Sequence, residues 1–295
     1  NHFELEDIFD LENVNDPRIS PDGETIVYRR DAKDIMIDGT RSQLWIINYD
    51  GSQNRPLTDG RKNDYHPRWS PDGKKLMVSL LAKDNSRILQ IDLELGDVRD
   101  FARNNNAKMG KWSPDGKWIA YSDLEKNLYA LDTSTGISKK ISTNQQGIRG
   151  FSWSPDGLWL ALVQNSMNKM AQIKIYNTKD ESIFDLTTDR ANSLNPCWSP
   201  DGKFIYFLSD RSFTSLVNSP GRTKQPDPYF DATDKVFHVA LQKGTRSPFR
   251  EKDELMNAEK KGKAEDKLVI RIDKDGIQSR IREVPISAGN YYSLA

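Results

Sequence analysis

A tetrapeptide that recurs five times constrains this 295-residue chain more than any other feature. Ser-Pro-Asp-Gly begins at five serines whose spacings are 50, 43, 41 and 45 residues: Ser20, Ser70, Ser113, Ser154 and Ser199. A tryptophan precedes four of the copies, and Ile19 stands in its place before the first. Internal repeats of this length are typical of chains that stack one supersecondary unit many times. The fold therefore follows from the structure of one unit.

Each copy of the tetrapeptide predicts a tight hairpin turn, because proline presets φ at the second position, aspartate suits the third and glycine accepts a positive φ at the fourth. A short apolar run follows every turn, and another follows that one. The second strands are predicted at residues 25–28, 76–79, 118–122, 159–163 and 204–208. The third strands are predicted at residues 43–48, 87–92, 127–132, 172–177 and 236–241. Polar turns lead several units into a fourth strand, as at 55–58, 139–142 and 183–187.

Four strands in 41 to 50 residues is the period of a propeller blade. The sequence therefore predicts an all-β fold, a β-propeller of four-stranded antiparallel blades. Residues 15–249 supply five clear blades, and strands within 268–295 are expected to complete a sixth blade or to start a following domain. The repeated tryptophans are expected to pack between consecutive blades, since each ring buries ~150–250 Å².

Three segments lie outside the repeat. An amphipathic helix is predicted within residues 1–14, and Leu5, Ile8 and Phe9 on its apolar face are the candidate residues for docking another domain. Residues 211–234 form a long insertion in the fifth blade, and residues 250–267 are an almost entirely charged linker.

Composition excludes several functions. The 43 basic and 43 acidic residues cancel, so the chain lacks the field of a protein that binds nucleic-acid phosphates or anionic lipid. Neither a nucleic-acid nor a membrane partner is expected, and the compartment, cytoplasmic or periplasmic, stays open. Cys197 is the one cysteine, which excludes a disulfide framework and a CxxC metal site, and it is expected to be a buried thiol.

Motifs for catalysis are missing from the sequence, which has no nucleophile elbow, zinc-protease helix motif, Walker loop or dinucleotide fingerprint. The three histidines, His2, His66 and His238, lack accompanying motifs and are interpreted as structural or exposed. Two acidic clusters, at 227–234 and 273–275, lack the spacing of a calcium loop and are interpreted as turns. No catalytic residue, cofactor or metal site is therefore predicted.

The Trp-Ser-Pro-Asp-Gly units, with the Leu-Thr endings at 57–58 and 186–187, resemble the PD40, or TolB-type, propeller repeat. Residues from about 108 to 295 resemble the six-bladed propeller of tricorn-type proteases, through the segments 206–211, 225–231, 243–249, 272–277 and 289–291. Residues 5–100 resemble the propeller of prolyl-oligopeptidase and acylaminoacyl-peptidase enzymes, through the segments 5–9, 14–23, 44–45 and 67–69. A double resemblance suggests a seam near residues 100–108, in a recombined chain or in a divergent natural one.

Both peptidase families carry their serine nucleophile on a separate domain. The resemblance therefore implies a non-catalytic propeller that acts as scaffold and peptide-substrate gate for a hydrolase domain, with that domain and peptides as partners. Two alternatives stay open: a TolB-like propeller that binds a protein partner, and an engineered or recombined propeller that has no ligand.

Overall fold

The computed structural model describes residues 11–36, 38–60, 63–81, 86–101, 107–212, 233–250 and 268–294. Within these ranges the chain forms twenty β-strands and one short 3-10 helix. The strands build five four-stranded antiparallel sheets, which confirms the predicted fold of propeller blades. Two compact units contain them: sheets 1 to 3 lie in Asn1–Thr143, and sheets 4 and 5 lie in Asn144–Ala295.

The sheets of the first unit each follow chain order from their first strand to their fourth. Sheet 1 contains β1 (Glu12–Ile19), β2 (Thr25–Asp34), β3 (Gly39–Asn48) and β4 (Arg55–Pro56). Sheet 2 contains β5 (Asn63–Trp69), β6 (Lys75–Leu81), β7 (Arg87–Asp92) and β8 (Val98–Phe101). Sheet 3 contains β9 (Lys108–Trp112), β10 (Trp118–Ser122), β11 (Asn127–Asp132) and β12 (Ser138–Thr143).

The second unit repeats the same order. Sheet 4 contains β13 (Ile148–Trp153), β14 (Trp159–Asn165), β15 (Ala171–Asn177) and β16 (Ile183–Asp185). Sheet 5 contains β17 (Ser193–Trp198), β18 (Phe204–Ser209), β19 (Lys235–Ala240) and β20 (Ile281–Glu283). The 3-10 helix, Ile277–Arg280, comes directly before β20.

The repeated tetrapeptide joins the first and second strands of every sheet, and its serine closes the turn. In all five copies the serine hydroxyl donates to the aspartate Oδ1 of the same copy, at 2.5–2.7 Å. The serine Oγ in turn accepts a hydrogen bond from the backbone N–H of the residue five positions after the serine, at 2.9 Å. The glycines take φ between 66° and 78°, as predicted. All five serines are buried, so their hydroxyls form these bonds away from solvent.

The tryptophan before the turn links its sheet to the preceding one within each unit. Three of these tryptophans donate from Nε1 to the carbonyl oxygen just before the equivalent position of that sheet: Trp69 to Arg18 at 2.9 Å, Trp112 to Arg68 at 3.2 Å, and Trp198 to Ser152 at 3.1 Å. Each ring also packs in an apolar cluster that spans both sheets. The predicted packing between blades is confirmed for these three residues.

The N-terminal segment differs from its prediction. Residues 1–10, with Leu5, Ile8 and Phe9, lie outside the described residues. Glu12–Ile19 is strand β1, so the helix predicted over 1–14 is wrong at its C-terminal end. Pairing with β2 decides the conformation here, since Glu12 lies opposite Ala32 in the ladder and forms an ion pair with Arg30.

The C-terminal segment also differs. Ile281–Glu283 pairs with β19 and is the fourth strand of sheet 5, so the expectation that these residues complete a sixth blade or start a following domain is wrong. The predicted strand at 268–272 is irregular backbone. The fifth blade takes its last strand from residues about 40 positions beyond β19 in the sequence. Residues 213–232 of the predicted insertion and 251–267 of the predicted linker lie outside the described residues.

Residues 268–273, here called the return segment, contact the turns of sheets 4 and 5. The Ile270 N–H donates to Asp156 Oδ2 at 2.8 Å, and its carbonyl oxygen accepts from Trp159 Nε1 at 3.2 Å. The Ile270 side chain is 5% exposed and lies against Gly202.

Among the described residues, no helix has the length and apolar character needed to cross a bilayer.

Candidate functional site

The first strands of sheets 1, 2 and 5 share a bulge four residues before the serine of the repeat. At the bulge the backbone is left-handed, with φ of 49° at Asp16, 54° at His66 and 50° at Asn195. A proline follows each of the three, and the ladder with the second strand shifts by one residue at each. Asp, His and Asn are the non-glycine residues that most often accept a positive φ. Bulges of this kind re-aim side chains and often lie beside functional sites.

The bulges of sheets 1 and 2 bring charged side chains together around one carboxylate. Arg18 Nη2 lies 2.6 Å from Asp16 Oδ1, and Arg68 Nη1 donates to Asp16 Oδ2 at 3.1 Å. His66 Nδ1 lies 3.7 Å from the same Oδ2, which is beyond hydrogen-bond distance. The Asp16 side chain is 14% exposed, whereas that of Arg18 is 45% exposed. The carboxylate is thus covered by cations that themselves face solvent.

Electrostatics at this point are dominated by positive charge. Partial burial acts to raise the pKa of Asp16, but the hydrogen bonds and charges of Arg68 and Arg18 outweigh it and lower that pKa. The pKa of Lys111, on β9 of sheet 3, is also lowered, first by burial and then by the charge of Arg68. Two arginines therefore contact one ionised carboxylate, and Lys111 lies close enough to Arg68 to be affected by its charge. We call Asp16, Arg18, His66, Arg68 and Lys111 the bulge cluster.

The charged side chains of the bulge cluster are of types that bind anions and carbonyl groups. Arginine forms charge-assisted, often bidentate, hydrogen bonds with carboxylates, and it also donates to peptide carbonyl oxygens. No group of three or more His, Cys, Asp or Glu side chains in the described ranges is arranged to hold a metal ion. The arrangement suits recognition of an anionic or carbonyl-rich ligand.

Sequence reasoning assigned His66 only a structural or exposed role, and it did not find the bulge cluster. A signal was present, because Asp16-Pro17-Arg18 and His66-Pro67-Arg68 stand at the same distance before the repeated serine. Cys197 is half-buried rather than buried, and burial raises the pKa of its thiol. His238 is buried in β19, as a structural role requires. The docking residues Leu5, Ile8 and Phe9 remain a prediction.

Comparisons with known proteins agree on the class of fold. The family model for the tricorn protease second beta propeller domain matches residues 78–295, about three quarters of the chain. The uncharacterized peptidase YuxL of Bacillus subtilis is 27% identical over 218 residues, which cover 73% of this chain and 32% of the relative. The tricorn protease of Thermoplasma volcanium is 28% identical over 231 residues, which cover 75% of this chain and 22% of the relative.

Solved structures give the same picture. A crystal structure of the tricorn protease superposes with a TM-score of 0.70 at 17% identity, over 92% of this chain and 30% of that one. The uncomplexed acylaminoacyl peptidase of Pyrococcus horikoshii gives 0.54 at 15% identity, over 80% and 39%. The chain spans about a third or less of the two sequence relatives. The family match begins at residue 78, so the tricorn-type similarity crosses the seam expected near residues 100–108.

Proposed function

The chain belongs to the tricorn protease second β-propeller family, and we propose on that premise that it is a non-catalytic propeller that serves a hydrolase domain as scaffold and as gate for peptide substrates. Family membership carries this proposal. The tricorn and acylaminoacyl peptidase structures that superpose on the chain support it as a matter of fold.

A gate has to contact passing peptides, and the bulge cluster supports this part of the proposal. Arg18 and Arg68 carry two positive charges against the one negative charge of Asp16, and Lys111 lies within the field of Arg68. This excess of positive charge attracts the carboxylates of acidic side chains or of a peptide C-terminus. Such attraction raises the local concentration of peptide and depends on ionic strength. The function proposed for the cluster is weak, charge-dependent peptide contact rather than tight binding.

Fluorescence anisotropy with two labelled peptides tests the peptide contact. One peptide carries Asp and Glu, and its partner carries Asn and Gln at the same positions. We expect the acidic peptide to bind more tightly, and Arg68→Gln to weaken its binding about fivefold or more, because a charge-assisted hydrogen bond contributes ~1.5–3 kcal/mol. Arg99→Gln, at an exposed arginine on β8, is the matched control.

A second variant moves the affinity in the opposite direction. Asp16→Asn removes the one negative charge of the cluster and is expected to strengthen binding of the acidic peptide, even if it weakens the fold. Equal binding of the two peptides, or equal effects of Arg68→Gln and Arg99→Gln, would refute peptide contact at the cluster. A stable protein partner without peptide binding would instead favour the TolB-like alternative.

Docking of the hydrolase domain is assigned to Leu5, Ile8 and Phe9, on the sequence pattern alone. Replacing all three with serine is expected to abolish co-purification with a tricorn-type hydrolase domain supplied in trans, while the melting transition of the propeller stays unchanged. Replacing the exposed Leu95 and Ile137 with serine controls for a general loss of surface apolarity. Undiminished co-purification of the triple variant would contradict this assignment.

A further inference from the structure

A cavity of about 680 Å³ opens beside the outer strands of sheet 5, within the second unit. The loop that follows β19 forms one wall, and β20 with the 3-10 helix before it forms the other. Small-molecule sites in proteins have volumes of roughly 300–1,000 Å³. The size of this cavity is therefore that of a small organic ligand.

A buried histidine borders the cavity. His238 is 1% exposed, and its Nδ1 has no hydrogen-bond partner among the described residues. Unsatisfied buried polar atoms are rare, because each costs the free energy of desolvation without compensation. The ring of His238 packs edge-on against Phe249, with centroids 5.4 Å apart, and against Phe204 at 5.6 Å. Packing holds the imidazole in place at the border of the cavity and leaves its buried Nδ1 without a partner among the described residues.

Four arginines line the same cavity: Arg246, Arg250, Arg280 and Arg282. Arg280 is a structural support, since it donates to the carbonyl oxygens of Ala240 and Leu241. Arg282 lies opposite His238 in the ladder, and among the described residues only its Nη1 is engaged in hydrogen bonds, to the carbonyl oxygens of Ser279 and Ile281. Glu283 is the one acidic residue in the lining, and Lys235 neutralises it through an ion pair.

An apolar ring stands at the mouth of the cavity. Phe249 is 43% exposed, although its inner edge contacts His238 and Tyr206. A flat apolar group could stack on the exposed part of Phe249 while an attached anion reaches the arginines. Burial, and then the positive charge of Arg282, lower the pKa of His238, so the imidazole is neutral at pH 7 and can donate one N–H.

We propose that this cavity binds a small organic anion, in which a carboxylate or phosphate group contacts Arg282 and the Nδ1 of His238 and a flat apolar portion packs on Phe249. The inference does not depend on the proposed function, because the bulge cluster lies in the other unit. Carboxylate and phosphate offer arginine the same bidentate geometry, and the experiment distinguishes them.

Isothermal titration of the full chain with four probes tests the proposal. Benzoate and phenyl phosphate carry both the ring and the anion, benzyl alcohol lacks the charge, and inorganic phosphate lacks the ring. We expect saturable binding of benzoate or phenyl phosphate, with the tighter of the two identifying the anionic group. Benzyl alcohol and inorganic phosphate are expected to bind at least about tenfold more weakly, because each loses one of the two contacts.

Variants locate the site. Arg282→Gln and His238→Phe are each expected to weaken binding about tenfold, whereas Arg271→Gln, at an exposed arginine outside the cavity, leaves it unchanged. If either variant unfolds, the ring proton shifts of His238 in the unmodified chain report the contact directly by NMR. Absence of saturable binding by both anions, a loss in Arg271→Gln equal to that in Arg282→Gln, or unmoved His238 shifts at saturation would overturn the proposal.

Discussion

Trp198 donates a hydrogen bond from its indole Nε1 to the carbonyl oxygen of Ser152 at 3.1 Å and so ties sheet 5 to sheet 4. Its ring is 7% exposed and packs in the apolar cluster that both sheets share. The contact combines burial of a large aromatic surface with satisfaction of a backbone acceptor. A tryptophan at this position therefore contributes through both its ring and its N–H.

Trp198→Phe tests how much the indole N–H contributes to stability, because phenylalanine keeps an aromatic ring and lacks the hydrogen-bond donor. We expect the free energy of unfolding to fall by about 1–3 kcal/mol, from the unpaired Ser152 carbonyl and the lost ring volume. Trp45→Phe is the control, since Trp45 donates to Gln43 on its own strand and is half-buried. Urea denaturation measures both. Equal losses in the two variants would contradict a specific role between sheets.

Ser154→Ala tests the serine of the turn. The hydroxyl of Ser154 is fully buried, donates to Asp156 and accepts the N–H of Trp159. Alanine leaves that buried N–H without a partner, so we expect a loss of about 1–3 kcal/mol in the free energy of unfolding. Ser134→Ala, which removes an exposed hydroxyl bonded to Asp132, should change it by less than about 0.5 kcal/mol. Similar melting temperatures for the two variants would argue against the serine as a structural bridge.

Gly202→Ala tests the position of the return segment. Both Gly202 and Gly96 have a positive φ, so alanine costs about 1–2 kcal/mol at either one. At Gly202 an added Cβ would also approach the Ile270 side chain to 2.5 Å, whereas at Gly96 it would meet open space. We expect Gly202→Ala to be the more destabilising in thermal unfolding. Ile270→Ala removes both the Cγ1 and the Cδ1 that the added Cβ would meet, so Gly202→Ala should cost less in that background, and an unchanged cost would place the segment elsewhere.

His238 makes the stability of the chain depend on pH. Burial and the charge of Arg282 lower the pKa of His238 in the folded chain below 6.5, its value in the unfolded chain. At a pH between the folded pKa and the unfolded pKa, the unfolded chain therefore binds more protons than the folded one. The contribution of neutral His238 is thus complete above pH 6.5 and is lost as the pH falls toward the folded pKa. We expect the unfolding midpoint in urea to decline from pH 7 to pH 5 less steeply in His238→Phe. Parallel declines in both proteins would show that other groups are responsible.

The repeat allowed the sheets to be predicted closely, because strand, turn and strand are local in sequence. The third strand predicted at 87–92 coincides with β7, Arg87–Asp92, and the turn glycines have the expected positive φ. A strand was predicted within 268–295, but its place as the fourth strand of sheet 5 was missed, because Ile281 pairs with Val239 across 42 residues and no local pattern encodes such a pairing. Apolar spacing at 268–272 suggested a strand, whereas the burial of Ile270 against two turns decides its conformation.

The bulge cluster was less predictable than the sheets. Asp16 and Arg68 are 52 residues apart in sequence and meet only because sheets 1 and 2 are neighbours in the first unit. The repeated residue-Pro-Arg pattern marks the position, but the direction of the side chains depends on the left-handed backbone at the bulge. The cavity at His238 depends on the late fourth strand, so it could not be predicted before that pairing was known.

The return segment has a consequence for folding during synthesis. Trp159 and Asp156 find partners in Ile270, which lies 111 and 114 residues later in the chain. A ribosome that adds about 5–20 residues per second needs roughly 5 to 20 s to reach Ile270 after it has passed Trp159. The contacts of sheets 1 to 3 can form early in synthesis, whereas sheet 4 lacks its contacts with Ile270 until that residue has been added. A nascent chain halted near residue 260 would thus hold three finished blades, a fourth without its contacts to Ile270 and a fifth without β20, the state that a chaperone would meet.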